Sequence, residues 1–515
     1  MQPSQIGSFL TVLITALLLA TGCATNPVTG EREFSIVSES REIDIGSKQF
    51  LPTQQMQGGQ YQIDAELSNY VGQVGQRLAA VSDRRLPYEF VVLNNSSPNA
   101  WTLPGGKIAV NRGLLLELDS EAELAAVLGH EIVHAAARHG AKSMQRGMLM
   151  QGAVMVTAVA TSEQKYNDYI VQGAALGAQL INQRHGRSAE RDSDYYGMQY
   201  MARAGYNPAA AVDLQETFVR LSKDRKSSWL DGLFASHPPS AERVANNRKT
   251  ATELGNEGEL GRERYQQKLA HLRATRPAYD AYDEARKLIA ADDLETALSA
   301  LDASISLEPR EGLFYGLQGE ILLQQKRYRQ AIASFDDAVR RDDGYYKHYL
   351  GRGMAHARLG ENSQAKLDLD RSNHLLPTAI TVNELGKIAL KEGEHTVAKG
   401  HFRAAAAAGG EIGRQATLSY VRLDLPDNPD RYIRSTTALS DKGLLLVELV
   451  NESGLDVGGI VFELKVTAAG KSAARRYTVS RLLASERVQL SSGLTFASEQ
   501  PPQSASVSIV NASLL

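Results

Sequence analysis

The chain has 515 residues, enough for roughly three or four domains of ordinary size. Its composition, 43% apolar and 22% charged, is that of globular protein, and its net charge of −3 argues against nucleic-acid binding. No glycine-rich phosphate loop supports ATP dependence. A single cysteine excludes disulfides and thiolate metal sites within the chain.

The N-terminal segment has features of a lipoprotein signal peptide. Residues 9–20 form an apolar run, and ATGC at 20–23 resembles the bacterial lipobox, with Cys23 as the lipidated residue. The positively charged start typical of such segments is missing. The apolar run and the lipobox nevertheless predict that residues 1–23 are a signal peptide. Acyl chains on Cys23 are predicted to anchor the protein to a membrane. Ala24, by the same resemblance, favours the periplasmic face of the outer membrane.

Residues 99–110 contain Trp101, a Pro-Gly-Gly turn at 104–106 and the run KIAV. The strand-like alternation of this run and the turn before it predict extended structure. The plain interpretation is an ordinary hairpin at the edge of the domain that follows.

Residues 121–137 read EAELAAVLGHEIVHAAA and are rich in the helix formers Ala, Leu and Glu. Asp119 and Ser120 precede this stretch and can cap its first turn. An apolar stripe at helical spacing runs along it: Leu124, Val127, Leu128 and Ile132. The pattern predicts a helix that is buried on most of its circumference.

The string HEIVH at 130–134 contains the residues by which this helix could bind a metal ion. His130 and His134 lie four residues apart, so both imidazoles leave the same helix face and can hold one Zn²⁺. Glu131 projects from nearly the same side, toward the position where a metal-bound water would sit. Zinc and a carboxylate base together hydrolyse peptides. The alternative is a core helix whose histidines only bond to the backbone.

A zinc site of this kind needs a third protein ligand. His139 follows His134 by five residues, about 140° further round a continuing helix, and is predicted to point elsewhere. The metzincin pattern requires Gly and His where this chain has Ala137 and Gly140, so that subclass is excluded.

A second motif, GRSAERDSDYYG at 186–197, supplies acidic candidates on a predicted helix. Glu190 can bind the metal, and Asp194, four residues later, can orient a ligand histidine. On residue types alone, Asp192 or Asp194 competes with Glu190 as the ligand. A charged, solvated helix face is the remaining alternative.

Residues 147–160 are apolar but only about 14 residues long, short of the roughly 20 that a membrane span needs. They are predicted to form a buried helix or a membrane-surface segment.

Four motifs in order resemble the M48 peptidases, a gluzincin-like family of zinc endopeptidases. The motifs are NAWTLPGGKIAVNRGLL at 99–115, HEIVH at 130–134, RSAERDSD at 187–194 and SHPPSAER at 236–243. The match covers residues 30–250. Gly186 and Ser193 depart from the usual Ser and Ala, and neither carries metal chemistry.

The family resemblance implies a complete site. Its members are His130, His134 and Glu190 as ligands of one Zn²⁺, Glu131 as general base and Asp194 as second acidic residue and proton donor. For His237 it implies a regulatory or transition-state role, with loop structuring as the alternative. For Arg243 it implies stabilisation of an oxyanion or anchoring of an acidic helix residue. It also implies that the segment 99–110 is an edge strand that pairs with an extended substrate main chain.

A repeat begins after a charged, helix-prone stretch at 251–276, which is predicted to be a helical linker. Small residues recur in one column and bulky residues four positions later: Ala297, Ala331, Ala365 and Ala398, then Leu301, Phe335, Leu369 and Phe402. The spacings of 34, 34 and 33 residues are the tetratricopeptide signature. Residues 277–411 are therefore predicted to form a solenoid of about four repeats with a concave binding face; a plain helical bundle is the alternative.

Residues 427–515 contain short β-rich runs separated by Gly, Asn and Ser, such as GLLLVELVNESG and GIVFELKVTAAG. They predict a small β-sandwich. The fold class expected for the whole chain is multidomain and mainly α: a gluzincin-like α+β metalloprotease domain at 24–250, the α-solenoid, and this C-terminal β-sandwich.

The order of these segments carries a functional expectation. By resemblance to M48 proteases with such repeats, the chain is expected to be a zinc endopeptidase of the bacterial envelope that cleaves misfolded or stalled outer-membrane proteins. The repeats are expected to recruit substrate or the outer-membrane assembly machinery. The rival is a non-proteolytic chaperone or scaffold for outer-membrane protein assembly, whose zinc site is structural or held shut by His237.

Overall fold

The computed structural model of the chain describes residues 23–151, 185–223, 236–497 and 500–515. They form two compact units, one reaching Pro377 and the other running from Thr378 to Leu515. The predicted signal peptide up to residue 22 and the apolar segment from residue 152 onward lie outside the described residues. Within the described part of the chain, no helix has both the length and the apolar character needed to cross a membrane.

The first unit opens with a small two-stranded ladder and a mixed sheet. The ladder pairs β1 (Cys23–Thr25) with β2 (Arg32–Phe34), and two helices follow, α1 (Glu39–Met56) and α2 (Ala65–Ala79). The sheet contains β3 (Glu89–Leu93), β4 (Ala100–Leu103) and β5 (Lys107–Asn111). β5 is central, parallel to β3 and antiparallel to β4, so β4 is an edge strand.

The helices around the sheet hold the candidate site. They are α3 (Arg112–Leu115), α4 (Glu121–Ala136), α5 (His139–Gln151), α6 (Arg187–Arg203), α7 (Ala210–Lys223) and α8 (Ala241–Leu254). α4 is the helix predicted at 121–137, and the Ser120 hydroxyl caps it by accepting from the Glu123 main-chain N–H at 3.2 Å. As predicted, it is buried on nearly all sides; His130 alone among its residues is partly exposed.

The predicted alternation within 99–110 is wrong for the run KIAV. This run lies in the central strand β5, where four consecutive residues from Ile108 to Asn111 are buried. The reason is that α1 packs near β5 on one side and α4 on the other, so neither face of the strand meets solvent. The edge strand is β4, formed by the earlier half of the segment.

The segment 251–276, predicted to be a helical linker, is helical but packs into the domain. After the end of α8 it forms α9 (Arg262–Lys268) and α10 (Ala270–Ala274). Tyr265, Leu269 and Leu272 are completely buried in the core that also contains α4, and the Tyr265 hydroxyl donates to the Leu115 carbonyl at 2.7 Å. Helical propensity predicted these helices, whereas their burial depends on partners distant in sequence.

Three helix pairs of the predicted solenoid complete the first unit. They are α11 (Arg276–Ala290) with α12 (Leu294–Leu307), α13 (Gly312–Gln324) with α14 (Tyr328–Arg341), and α15 (Tyr346–Leu359) with α16 (Asn362–Leu375). The small and bulky columns of these pairs are completely buried: Ala297, Ala331 and Ala365, with Leu301, Phe335 and Leu369. The predicted period therefore marks the residues that pack each pair.

The first repeats share a buried polar junction with the sheet. The Glu311 carboxylate accepts hydrogen bonds from Asn94 at 2.9 Å and from the Tyr279 hydroxyl at 2.7 Å. The Arg112 guanidinium lies 3.5 Å from the centre of the Tyr279 ring and donates to Asn94 at 2.8 Å. Because these groups are buried and mutually satisfied, the repeats are joined to the sheet through a defined contact.

The second unit contains helices and a β-sandwich. Its helices are α17 (Ala379–Lys391), α18 (His395–Ala406) and α19 (Gly410–Asp424), and the fourth repeat column, Ala398 and Phe402, is buried among them. Two three-stranded antiparallel sheets follow, ordered β10-β7-β6 and β11-β8-β9. The strands are β6 (Ile433–Leu439), β7 (Leu444–Asn451), β8 (Val457–Ala468), β9 (Lys471–Leu482), β10 (Arg487–Thr495) and β11 (Ser504–Leu514). The predicted fold class, mainly α with a C-terminal β-sandwich, is confirmed.

Candidate metal centre

The site is built where α4 and α6 cross at very short range. A Cβ atom added to Gly197 of α6 would lie 3.0 Å from the main-chain nitrogen of His130, and one added to Gly129 would lie 3.1 Å from the Gly197 carbonyl oxygen. Two glycines at the crossing therefore let the backbones touch. This approach brings Glu190, two turns before Gly197, against the histidines of α4.

Four side chains converge at this crossing: His130, His134, Glu190 and His237. The Nε2 atoms of His130 and His134 lie 3.0 Å apart, and they lie 3.5 and 3.4 Å from the two carboxylate oxygens of Glu190. Ligands held about 2.0–2.1 Å from a tetrahedral metal are separated by about 3.3 Å. The spacing of these donor atoms is therefore that of a tetrahedral metal site.

His130 is oriented from its other ring nitrogen. Its Nδ1 lies 2.9 Å from Asp194 Oδ1, and Arg243 clamps the same carboxylate with two bonds of 2.7 Å to its two oxygens. Burial alone raises the pKa of the Asp194 carboxyl, but the Arg243 guanidinium and its hydrogen bonds outweigh burial and hold that pKa below its usual value. An ionised Asp194 accepts the Nδ1–H of His130, which leaves the Nε2 lone pair facing the cluster.

The second ring nitrogen of His134 faces His139, a residue that the sequence did not place at the site. His139 Nδ1 lies 3.0 Å from His134 Nδ1, and burial lowers the pKa of His139 to about 3, so its imidazole is neutral. In agreement with the prediction, His139 is not among the described groups that could hold a metal. Its ring nevertheless faces the far side of the His134 ring, because α4 ends at Ala136. Arg138 then adopts a left-handed backbone with φ of 62°, which turns His139 back toward α4.

His185 also lies in this neighbourhood, although no sequence motif singled it out. Its ring centre is 4.1 Å from that of His134, in a tilted arrangement. Its only sequence signal is the short distance along the chain to Glu190, at the start of α6. Asp192, the competing ligand candidate, lies outside the cluster, with its carboxylate 3.9 Å from His139 Nε2.

His237 occupies the remaining side of the cluster. Its Nδ1 lies 3.1 and 3.2 Å from the two Glu190 oxygens and 3.2 Å from His130 Nε2, and its Nε2 lies 3.5 Å from Glu131. Burial raises the pKa of the Glu131 carboxyl. Burial alone lowers the pKa of His237, but the carboxylates of Glu190 and Glu131 reverse the effect and raise it.

Two cavities adjoin the metal centre, and β4 contributes to both. One is lined by Ala100 together with His130 and Glu131, and the other by Thr102 together with His134. Asn111 donates to the Asn99 carbonyl at 2.9 Å, so the antiparallel ladder makes Trp101 and Leu103 the residues that bond to β5.

The main-chain groups of Ala100 and Thr102 consequently face away from β5. The described residues provide no main-chain hydrogen-bond partner for either of them. An unpaired strand edge therefore runs past the metal centre.

Comparison with known proteins finds family matches for two parts of the chain. Residues 65–251 match the model described as Peptidase family M48, and residues 282–346 and 327–372 match that of the tetratricopeptide repeat. The chain therefore carries an M48 peptidase domain followed by tetratricopeptide repeats. The resemblance drawn from the four motifs and the repeat period is confirmed.

Named relatives share parts of this arrangement. The chain is 27% identical over 252 residues to the beta-barrel assembly-enhancing protease of Escherichia coli K12, a match that covers 48% of this chain and 51% of that protein. It is 31% identical over 158 residues to the mitochondrial metalloendopeptidase OMA1 of Arabidopsis thaliana, covering 31% and 30%. The first tetratricopeptide domain of human RPAP3 aligns at 21% identity with a TM-score of 0.23, covering 23% of this chain and 95% of that one. The chain spans about half the length, at most, of the bacterial relatives it matches.

Proposed function

We propose that the protein is a zinc metalloendopeptidase. The observation that carries the proposal is the convergence of donor atoms from His130, His134 and Glu190 at tetrahedral spacings, in a domain that matches an M48 peptidase. Lone pairs of two imidazoles and a carboxylate, brought together in a buried place, repel one another unless a cation lies between them. Two histidines and a carboxylate are a donor set that zinc prefers at catalytic sites.

Each side chain then has a defined task. A zinc ion bound here activates water and polarises the scissile carbonyl. Glu131 accepts the proton of the attacking water as general base. Asp194 orients His130, and Arg243 anchors Asp194; the two Arg243 bonds favour this anchoring role over stabilisation of an oxyanion. Because both Asp194 oxygens already accept hydrogen bonds, orientation suits this carboxylate better than proton donation.

His237 is proposed to act as a gate on the metal centre. Its Nδ1 is as close to His130 and Glu190 as those two groups are to each other, so it stands where a fourth ligand or a water would bind. It lies at a bend just before α8, outside the helices that carry the other three groups of the cluster. Displacement of His237 would open the position that the reaction requires.

The edge strand β4 is proposed to bind the substrate main chain. Outward-facing groups of Ala100 and Thr102 can pair with an extended peptide, as in other cases where a peptide adds a strand to a sheet. Such pairing uses main-chain groups that every substrate has. This pairing by itself therefore places no constraint on the side chains of the substrate.

We further propose that the protein works in the bacterial envelope on misfolded or stalled outer-membrane proteins. The name of the Escherichia coli relative supports this substrate class. Lipidation of Cys23 would hold the chain on the periplasmic face of the outer membrane, and the repeats would recruit substrate or the assembly machinery. A Cys23→Ser variant should leave the membrane fraction, and unchanged fractionation would refute the anchor.

The direct test compares Glu131→Gln with Glu66→Gln, a variant of an exposed carboxylate on α2. Both proteins should bind zinc, but only Glu66→Gln should cleave unfolded casein at the wild-type rate. Equal cleavage by wild type and Glu131→Gln would contradict the assignment of Glu131 as the general base. Trapping substrates in envelopes with Glu131→Gln then identifies the clients.

The alternative is a non-proteolytic chaperone or scaffold, and the position of His237 is the observation that favours it. In that case neither wild type nor His237→Ala cleaves any client, while both suppress aggregation of a denatured outer-membrane protein. Cleavage that appears or increases in His237→Ala supports the gated protease instead.

A further inference from the structure

The cavity beside the metal centre has a composition that points to a particular substrate side chain. The space it encloses, including its opening to solvent, is about 520 Å³. His130, Glu131 and His237 are among its lining residues, so the cavity begins at the reacting groups. The rest of its wall combines apolar side chains from four helices with a few polar ones: Ser193, Asp194, Gln215, Arg243 and Asn247.

The wall is suited to an aromatic ring. Val127 of α4, Met198 and Met201 of α6, and Leu214 and Phe218 of α7 line it, and each is at least nine-tenths buried. Methionine sulfur and the edge of a phenylalanine make favourable contacts with an aromatic ring. A large planar side chain therefore gains more here than a small aliphatic one.

One polar group in this wall has no partner. Gln215 of α7 is 5% exposed, and its Oε1 is buried without a hydrogen bond to any part of the chain that the structure describes. The neighbouring amide of Asn247 is used differently, since it donates to the Ala211 carbonyl at 3.4 Å and so holds α7. A buried acceptor left unpaired is costly, so folded proteins rarely keep one without use.

We propose that this cavity is the subsite for the residue next to the scissile bond and that it selects tyrosine, whose hydroxyl donates to Gln215. The inference rests on the proposed peptidase function and adds the side-chain preference that β4 does not provide. Tyrosine combines a ring for the apolar wall with one terminal donor for the unpaired oxygen. Phenylalanine fills the wall but leaves Gln215 unpaired, and alanine does neither.

The first experiment measures cleavage of internally quenched peptides that are identical except at one of the two residues flanking the scissile bond. At one of these positions wild type should prefer tyrosine to phenylalanine by about tenfold in kcat/KM, and phenylalanine to alanine by at least as much. In Gln215→Met, which keeps the volume but removes the acceptor, the tyrosine-to-phenylalanine ratio should fall to about one while cleavage of the phenylalanine peptide persists. Gln330→Met, an exposed change on α14, should leave every ratio unchanged.

A second experiment does not require turnover. Binding of p-cresol and toluene to the zinc-loaded protein, followed by ligand-observed NMR, should show several-fold tighter binding of p-cresol to wild type and equal binding of the two to Gln215→Met. Cleavage without a tyrosine preference, or p-cresol and toluene binding equally to wild type, overturns the subsite. Absence of cleavage of every peptide by both wild type and His237→Ala, together with a clear p-cresol preference, instead refutes the peptidase function and leaves the phenol-binding cavity standing.

Discussion

The metal centre and the first three repeats are both made of closely packed helices, but they bury opposite kinds of side chain. At the metal centre, Glu190 and Arg243 are buried and the Asp194 side chain is 9% exposed, and all three lie within hydrogen-bonding distance of one another or of the histidines. In the repeats, the buried columns are apolar, as where Phe335 lies against Gly351: a Cβ atom on this glycine would overlap the ring.

The difference shows how each region obtains its stability. Apolar columns gain free energy simply by leaving water, and any residue of similar size serves. Buried charges gain free energy only while every partner stays in place, which fixes one geometry but makes each member indispensable. Function therefore lies where the local structure is most costly to disturb.

The largest effect is expected when a member of the charged cluster is removed. Arg243→Ala leaves Asp194 buried without its clamp, and we expect the free energy of unfolding to fall by about 3–5 kcal/mol. Arg248→Ala on the same helix, where the guanidinium is exposed and paired with Glu216, should change it by less than about 1 kcal/mol. Urea unfolding of both variants measures the contrast, and similar losses would contradict it.

The repeats should lose a comparable amount by a different mechanism. Phe335→Ala deletes a completely buried ring and leaves a cavity, at an expected cost of about 3–5 kcal/mol. Leu367→Ala in α16, where the side chain is 73% exposed, should cost less than about 0.5 kcal/mol. Thermal unfolding checks the pair. A negligible loss in Phe335→Ala would mean that the column does not pack the repeats.

A buried carboxyl group in the first turn of α4 should also make the stability of the first unit depend on pH, at a place away from the metal centre. Burial raises the pKa of Glu123 from 4.5 to about 7. The hydrogen bond from the Asp119 main-chain N–H and the charge of Arg262 oppose this shift, while the Asp119 and Asp213 carboxylates add to it. A raised folded-state pKa contributes stability that is complete below pH 4.5 and is lost as the pH rises through 7. We expect a loss of about 2–3 kcal/mol across this window.

The control for this pH dependence is Glu123→Gln, which cannot ionise. Unfolding free energies measured between pH 4.5 and 8 should decline less steeply for the variant than for wild type. Parallel curves for the two proteins would show that Glu123 does not titrate as its burial implies.

The smallest effect concerns the residue behind His134. His139→Ala removes the partner that holds the His134 tautomer, and we expect zinc affinity to fall about 10–100-fold while the three ligands remain. His395→Ala, an exposed histidine at the start of α18, should leave zinc affinity unchanged. Competition with a chelator measures both. Unchanged affinity in His139→Ala would reduce its contact with His134 to simple packing.

The parts of the metal centre that lie on a single helix could be predicted from local periodicity. The helical spacing within HEIVH placed His130 and His134 on one face, and the i,i+4 relation placed Asp194 beside Glu190 on α6. The contact of His139 with the far side of His134 was not predicted, because a continuing helix would carry His139 away, whereas α4 ends at Ala136 and the chain reverses at Arg138. No local sequence pattern predicts that Arg138 adopts a left-handed backbone conformation.

Tertiary packing accounts for the other differences between the predictions from sequence and the structure. The run KIAV in β5 and the segment 251–276 both carry correct local preferences, but helices distant in sequence cover them and turn an expected alternating strand and linker into core. Gln215 belongs to no motif, and only the cavity around it gives its unpaired oxygen a meaning.

By itself, the sequence determined which elements form, the 34-residue period of the repeats and the chemical types present at the site, because these depend on neighbours three, four or 34 residues away. The tertiary structure alone decided that His237 closes the cluster, that Arg243 clamps Asp194 and that α4 touches α6 at two glycines. These contacts join residues 47 to 107 positions apart. Their geometry follows from the packing of the whole domain, which no local pattern encodes.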